Sequence, residues 1–599
     1  MSGTDRMGLT RGGAALAGVP MKKSRLMLPR RVVLALLALT ALPAWAADAP
    51  RIHVSMSFDK ALRAQAVNGR AFLMIGRKPG VEPRLTAPYT FAYYFNDPSM
   101  PYAPIYGMDV NELAPGQSVS MDETTPGYPF ASLRNLPPGD YTLQAVLNVY
   151  TLFKRADGHS IYAHADRGEG QQFHVSPGNL VSEPVTLHID PAQGIDVSLK
   201  FTRTIPEIKP VADTRYVKRV RFKSALISRF WGHDMWFSAI VVLPKGYDEH
   251  KNVRYPLVFH QGHFQEGVPF GFSEQAPPEA PADASPALQK HYRAAKAFHE
   301  AWQSESLPRM ILVSLQHPTP FYDDSYLVNS ANNGPWEDAL FKEMLPFLEA
   351  KFRIIRKPYA RVLTGGSTGG WISAALQIRH PREFGGAWSF CPDPVDFREF
   401  LNSDLYKDES AFTVPGYDWV APERFMSRTV KGEPRVTVRS LSQISAVLGS
   451  NGRSGEFLDM WSAVYGPVGT DGYPRLIWDH GTGKIDHEVA EYWRSHDFDL
   501  RDYLERNWSQ VGPNLVGKLH FICGDMDNFY LNLSMYRLEE FLKSAKDTEY
   551  GGSFTYGRPM IGHEYYGYDP WPIPMLEEMA ATISRNAPAG DDPSSWRYR

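Results

Sequence analysis

The pattern of apolar and polar positions changes near residue 214 of the 599-residue chain. Before that point the period is two. Ile52, Val54, Met56 and Phe58 alternate with polar residues, and 141–149 does so in large part after the turn Leu136-Pro137-Pro138-Gly139-Asp140. Val185, Leu187 and Ile189, then Ile195, Val197, Leu199 and Phe201, flank Asp190-Pro191-Ala192-Gln193-Gly194 and read as a hairpin-like pair. Period two broken by Pro/Gly turns predicts half-buried strands, so 47–204 is expected to be an all-β sandwich module. It holds no catalytic constellation. A supporting role and a substrate- or partner-binding role both stay open. Residues 205–213 carry two prolines and few large apolar side chains, which predicts an extended linker.

From 214 to about 590, short apolar runs alternate with segments of helical period. That grammar predicts a mostly parallel, doubly wound α/β sheet with crossover helices. Strands are expected at 238–243, 255–259, 310–315, 361–363, 386–391, 519–523 and 554–556. Leu340, Phe341, Met344, Phe347, Leu348 and Phe352 recur at helical spacing after Pro335, a suitable first helical residue. Residues 397–516 separate two predicted strands by far more than a crossover needs. This cap-like insertion precedes the strand at 519–523, and a lid over the substrate and an ornamental insertion both stay open.

Composition narrows the function. With 43% hydrophobic residues the chain can bury a large core. A net charge of −3 and no basic stripe give no footprint for nucleic acid. At the N-terminus, Lys22, Lys23, Arg25, Arg30 and Arg31 precede an apolar run at 32–42 and the sequence Ala44-Trp45-Ala46. That is the grammar of a cleaved signal peptide over 1–46, with Met21 as an alternative start, and it predicts an exported protein, periplasmic or secreted. The apolar run is too short to span a bilayer. Two cysteines, Cys391 and Cys523, make no disulfide framework and are expected as buried thiols.

The chemistry concentrates at Gly365-Gly366-Ser367-Thr368-Gly369-Gly370, set between an apolar run and Trp371-Ile372-Ser373-Ala374-Ala375-Leu376. Strand, sharp turn and helix with a serine at the apex fit a nucleophile elbow. A serine needs a base, and the base needs an orienting acid. Downstream lie Gly524-Asp525-Met526-Asp527-Asn528 and then Gly562-His563, each just past a predicted strand. The order Ser, Asp, His matches the α/β-hydrolase order. The spacing G-x-x-D favours Asp527 over Asp525, with Asp393 and Asp396 as a third option. An acyl-transfer site also needs oxyanion donors. The N–H of Thr368 and one from His260-Gln261-Gly262-His263-Phe264, His263 first, are the candidates. Trp336, Trp371, Phe529, Tyr530, Tyr565 and Tyr566 stand beside the motifs and are candidates to line the pocket.

Residues from about 235 to 575 resemble the esterase D / putative esterase family of α/β-hydrolases. The resemblance rests on 255–263, on Asn329-Ser330-Ala331-Asn332-Asn333-Gly334-Pro335-Trp336, on the elbow through Trp371 and on Gly562-His563. It implies a carboxylic-ester hydrolase using Ser367, Asp527 and His563, with a small-molecule or glycan-linked ester as substrate and no metal or organic cofactor. Acyl transfer or peptide hydrolysis by the same residues is a second reading, and a non-catalytic binding protein on this scaffold a third.

Overall fold

The computed structural model describes residues 50–597, apart from 78–79, 87–102, 171, 263–266, 322–323, 417–418, 547, 564, 566 and 593. The predicted signal segment 1–46 lies outside the described residues, as do His263 and Tyr566.

The N-terminal part is made of strands, as its period-two pattern predicts. They are β1 (Ile52–Phe58), β2 (Val67–Gly76), β3 (Ile105–Leu113), β4 (Ser118–Met121), β5 (Gly127–Tyr128), β6 (Gly139–Val149), β7 (Thr151–Lys154), β8 (Ser160–Ala163), β9 (Leu180–Ser182), β10 (Val185–Ile189) and β11 (Ile195–Thr204). They differ from a two-sheet sandwich in one respect. Apart from the small β7–β8 pair, they run as one nine-stranded sheet in the order β4-β1-β11-β9-β6-β2-β3-β5, with β10 also on β6. Short β9 pairs with β11 on one side and β6 on the other, which ties the two halves together. The sheet folds over on itself, because Val54, Met56 and Phe58 share a core with Leu73, Ile75, Leu143 and Leu147.

The hairpin expected around 190–194 is not formed beyond a single bridge between Asp190 and Gly194. β10 pairs with β6, while β11 lies parallel to β1, with Met56 opposite Leu199 and Phe58 opposite Phe201. Long-range pairing places β11 between two strands and buries Leu199 and Phe201, which a hairpin with the mostly exposed β10 does not do.

Residues 206–215 run irregular and exposed, as the prolines predict. Beyond them stand β12 (Val217–Lys223), β13 (Trp236–Val242), β14 (Leu257–Gln261), β15 (Ile311–Gln316), the small pair β16 (Asn329–Ser330) and β17 (Gly334–Pro335), then β18 (Arg361–Gly366), β19 (Gly386–Phe390), β20 (Leu519–Gly524) and β21 (Ser553–Gly557). Eight of these form one sheet in the order β12-β13-β15-β14-β18-β19-β20-β21. Only β13 runs against its neighbours. This is an α/β-hydrolase-like sheet. The central strands β15, β18 and β19 are buried on both faces, as a parallel sheet between helices requires. β12 has no counterpart among the expected strands, because Lys218, Arg219, Arg221 and Lys223 break its apolar pattern. Those charges suit its place at the sheet edge.

The helical run after Pro335 forms as Trp336–Ala339, a π-helical turn Leu340–Met344, and Leu345–Lys351. Pro335 sits at the cap rather than at the first helical position. Between β19 and β20 the insertion folds into the helices Val438–Leu448, Phe457–Tyr465, His487–Ser495 and Leu500–Val511. The last of these packs beside Thr368–Arg379 and Leu531–Ser544, so it serves as the crossover into β20.

The two β-rich parts share a core. In β2, Ala71, Leu73 and Ile75 face the folded-over sheet, while Phe72 and Met74 belong to the core of the C-terminal α/β part. That double duty makes β2 buried along nearly its whole length. Arg70 of the same strand, only 3% exposed, donates to the carbonyls of Ala446 and Val447 in the insertion and pairs with Asp109 at 2.7 Å.

Candidate active site

Ser367 stands between β18 and the helix Thr368–Arg379 with φ 55° and ψ −119°. A non-glycine residue rarely adopts that conformation, and it persists where the surroundings enforce it. Here the Ser367 N–H donates to the Phe390 carbonyl at 2.9 Å, and its own carbonyl accepts from the Trp371 N–H at 3.0 Å and the Asp393 N–H at 3.2 Å. The glycines around it leave room for the turn. A Cβ on Gly365 would lie 2.4 Å from the Gln261 carbonyl oxygen, and one on Gly369 only 2.0 Å from the same atom. The end of β14 therefore presses directly on the elbow, which only glycine allows at these two positions.

The candidate acid and the candidate base meet at the next strand ends. Asp527 follows β20 and is fully buried; its Oδ2 accepts from His563 Nδ1 at 2.7 Å. Its Oδ1 accepts from the N–H groups of Phe529 at 2.8 Å and Leu531 at 3.2 Å. Burial pushes the Asp527 carboxyl up, but the imidazolium and hydrogen bond of His563 and those two N–H groups outweigh it, so it lies below its usual range. Burial likewise pushes His563 down, and the charge and hydrogen bond of Asp527 more than reverse that, leaving it well above an ordinary histidine. Asp525 makes a different contact: its Oδ1 accepts from the Ile561 N–H at 3.0 Å. Asp396 caps the turn Phe397–Glu399 and pairs with Arg398.

The Ser367 hydroxyl does not donate to His563. It donates to Asp393 Oδ1 at 3.1 Å. The other oxygen of Asp393 accepts from Thr368 Oγ1 at 3.0 Å and from the Tyr326 hydroxyl at 2.5 Å. Asp393 lies three residues past β19, and Tyr326 belongs to the loop after β15; no motif marks either contact. Thr368 opens its helix, so its N–H is among the first-turn donors with no intrahelical partner. Gly262, the last described residue of the loop after β14, lies against Gly369.

The aromatic candidates fall into two groups. Trp336 and Trp371 are fully buried, Trp336 against Phe237 and Trp371 between Tyr326 and Tyr465. They are core residues, because the helices that carry them turn these faces onto the sheet and the insertion. Phe529 packs edge-on against the His563 ring at 4.9 Å between centroids. Tyr530 stacks under the Arg428 guanidinium at 4.3 Å, and Tyr565 is half-buried beside Gly557.

Both cysteines are free thiols and both touch the acid–base pair. Cys391 Sγ donates to the His563 carbonyl at 2.8 Å, and Cys523 Sγ to Asp527 Oδ2 at 3.6 Å. Asn528 was not anticipated. Its Oδ1 accepts from the His563 N–H at 2.9 Å, and its Nδ2 donates to the Arg428 carbonyl at 2.8 Å.

No curated protein matches the chain. Among solved structures it is similar to an S-formylglutathione hydrolase from Agrobacterium tumefaciens, at 12% identity over 62% of this chain and 95% of that one, with a TM-score of 0.31. It is also similar to a ferulic acid esterase from Anaeromyces mucronatus, at 12% identity over 62% and 91%, with a TM-score of 0.26. The family described as "Putative esterase" matches residues 232–495, from before β13 to within the insertion. That segment, which holds Ser367 and Asp393, is similar to the putative esterase family, and the protein is a carboxylic-ester hydrolase.

Proposed function

We propose that the protein hydrolyses carboxylic esters through Ser367, His563 and Asp527, by way of an acyl-enzyme. The observation that carries this reading is the 2.7 Å pair between Asp527 and His563 at the strand ends beside a serine in strained elbow geometry. In this reading Ser367 Oγ attacks the ester carbonyl and its proton passes to His563 Nε2. Asp527 fixes the tautomer by accepting from Nδ1–H and stabilises the imidazolium that forms. The Thr368 N–H and a second N–H from the loop after β14, His263 by the sequence reading, take the oxyanion. His563 then protonates the leaving alcohol, and water hydrolyses the acyl-enzyme by the same path. The hydroxyl must turn from Asp393 toward His563 before the first step.

The substrate is a small-molecule or glycan-linked ester, and the protein works after export. The folded-over β unit supports the catalytic part from the insertion side. Replacing Ser367 by Ala should abolish both hydrolysis of a short aryl ester and labelling by a fluorophosphonate probe, with the fold unchanged by circular dichroism. Turnover that persists in Ser367→Ala would remove the mechanism. Sequencing the N-terminus of the exported product tests the location: a start near Ala47 is expected, and a chain retained in the cytoplasm would overturn export.

A further inference from the structure

The nucleophile is bound to a carboxylate that the proposed mechanism does not use. Asp393 is 5% exposed, and its two oxygens take three hydroxyl donors: Ser367 on Oδ1, Thr368 and Tyr326 on Oδ2. Tyr326 is fully buried and lies edge-on to Trp371 of the elbow helix and to Tyr465 of the insertion. Its oxygen also accepts from Trp461 Nε1–H at 2.8 Å, and Trp461 lies on the helix Phe457–Tyr465 of the insertion. An unbroken chain of hydrogen bonds thus runs from the insertion through Trp461, Tyr326 and Asp393 to the attacking oxygen.

We propose that Asp393 is a positioning residue that holds the Ser367 hydroxyl in a resting orientation, and that the insertion sets this hold through Trp461 and Tyr326. The inference rests on Ser367 acting as the nucleophile. A serine hydroxyl carries one proton, so donating it to Asp393 withholds it from His563. A hydrogen bond to a carboxylate is stronger than one to a neutral acceptor, so the resting orientation competes with the reactive one. The negative charge also stands 3.1 Å from the attacking oxygen, and it opposes the negative charge that develops there as the proton leaves. Tyr326 and Thr368 keep the carboxylate from swinging away. A substrate that moves the helix Phe457–Tyr465 reaches this network directly, so the insertion can govern how readily the hydroxyl is released.

The test is the rate of fluorophosphonate labelling together with kcat and KM for a short aryl ester, in Asp393→Asn, Tyr326→Phe and the double variant. Asparagine keeps the shape and an acceptor for Tyr326 and Thr368, while its amide nitrogen donates to Ser367 and frees the hydroxyl for His563. Asp393→Asn should label about fivefold faster than wild type, with kcat raised and KM within about twofold, the gain expected from exchanging a charged for a neutral hydrogen bond. Tyr326→Phe should move the rate the same way by less, and the double variant should not exceed Asp393→Asn. A merely structural carboxylate gives a loss in every variant. Labelling of Asp393→Asn that is unchanged or slower overturns the proposal. If Asp393→Asn does not fold, Tyr326→Phe decides, and an unchanged or slower rate there overturns it equally. If wild-type protein is not labelled at Ser367 at all, the esterase reading falls first; a labelled wild type with no faster variant removes only the role of Asp393.

Discussion

Arg428 of the insertion donates its Nε–H to the main-chain carbonyl of Asp527 at 3.0 Å. Its Nη2 reaches Asn532 Oδ1 at 3.0 Å, and its own N–H donates to the Asn528 carbonyl at 2.8 Å. Through Asn528 the same segment is tied to the His563 main chain. The insertion therefore straps down both the loop of the acid and the loop of the base, and at this end it is part of the site's frame.

Removing the strap should loosen the geometry rather than the affinity. Arg428→Met keeps much of the side-chain volume over the Tyr530 ring and deletes the donors. We expect kcat to fall about tenfold while KM changes little, since the acid and base lose alignment without losing a substrate contact. Leaving the buried Asn532 Oδ1 unpaired, while the Asp527 carbonyl keeps only the Tyr530 N–H, should also cost about 1–3 kcal/mol of stability. Steady-state kinetics and thermal denaturation check both, and a raised KM with intact kcat would assign Arg428 to substrate binding instead.

The pH dependence follows from the Asp527–His563 pair. In the proposed mechanism His563 must be neutral to accept the serine proton. It titrates well above its ordinary value of 6.5, because Asp527 more than offsets the effect of burial. The acid limb of kcat/KM should therefore have its midpoint above 6.5, and activity should fall as pH drops through that raised value. In Asp527→Asn burial still disfavours the charged imidazole while the main opposing charge is gone, so the limb should move to lower pH. The rate at its plateau should drop roughly 10⁴-fold, as for loss of the orienting acid in a serine triad. A pH profile of kcat/KM for both proteins checks this, and a limb that does not move would show that Asp527 does not set the histidine.

How much of this was legible in the sequence varies with the reach of the interaction. The elbow is local: a strand, glycines and a helix within about a dozen residues announce Ser367, and the close approach of β14 to Gly365 and Gly369 shows why glycine stands there. The preference for Asp527 over Asp525 was readable from the spacing to Gly524, and it is Asp527 that lies against His563. For Asp393 the sequence suggests nothing beyond a third option for the acid. Its contact with Ser367 depends on how the turn after β19 meets the turn after β18, and no spacing encodes that. Asn528 and Arg428 were invisible for the same reason, since their partners lie about a hundred residues apart. The hairpin at 190–194 does not form because β1, more than a hundred residues away in sequence, outcompetes the adjacent β10 for β11. Trp336 and Trp371 lie beside the motifs in sequence but point into the core, since neighbours on a helix face different ways.

The last expectation concerns the N-terminal β unit. A separable module would leave a folded catalytic part when 51–204 is removed. The interface argues otherwise. Phe72, Met74, Val146 and Phe153 of the β unit lie in the main core, Phe153 packs edge-on to Trp231 at 5.1 Å, and Arg155 donates to the carbonyls of Ala331 and Gly472 at 2.9 Å each. Arg453 of the insertion pairs with Asp109 across the same boundary at 3.0 Å. Deleting 51–204 uncovers that apolar face and strips Arg453, itself 6% exposed, of its carboxylate partner. The truncated chain should aggregate on size-exclusion chromatography or bind an apolar dye that the full chain does not, and lose its esterase activity with its fold. A monodisperse truncated protein that keeps the full chain's kcat would instead make the β unit an independent domain and return its role to substrate or partner binding.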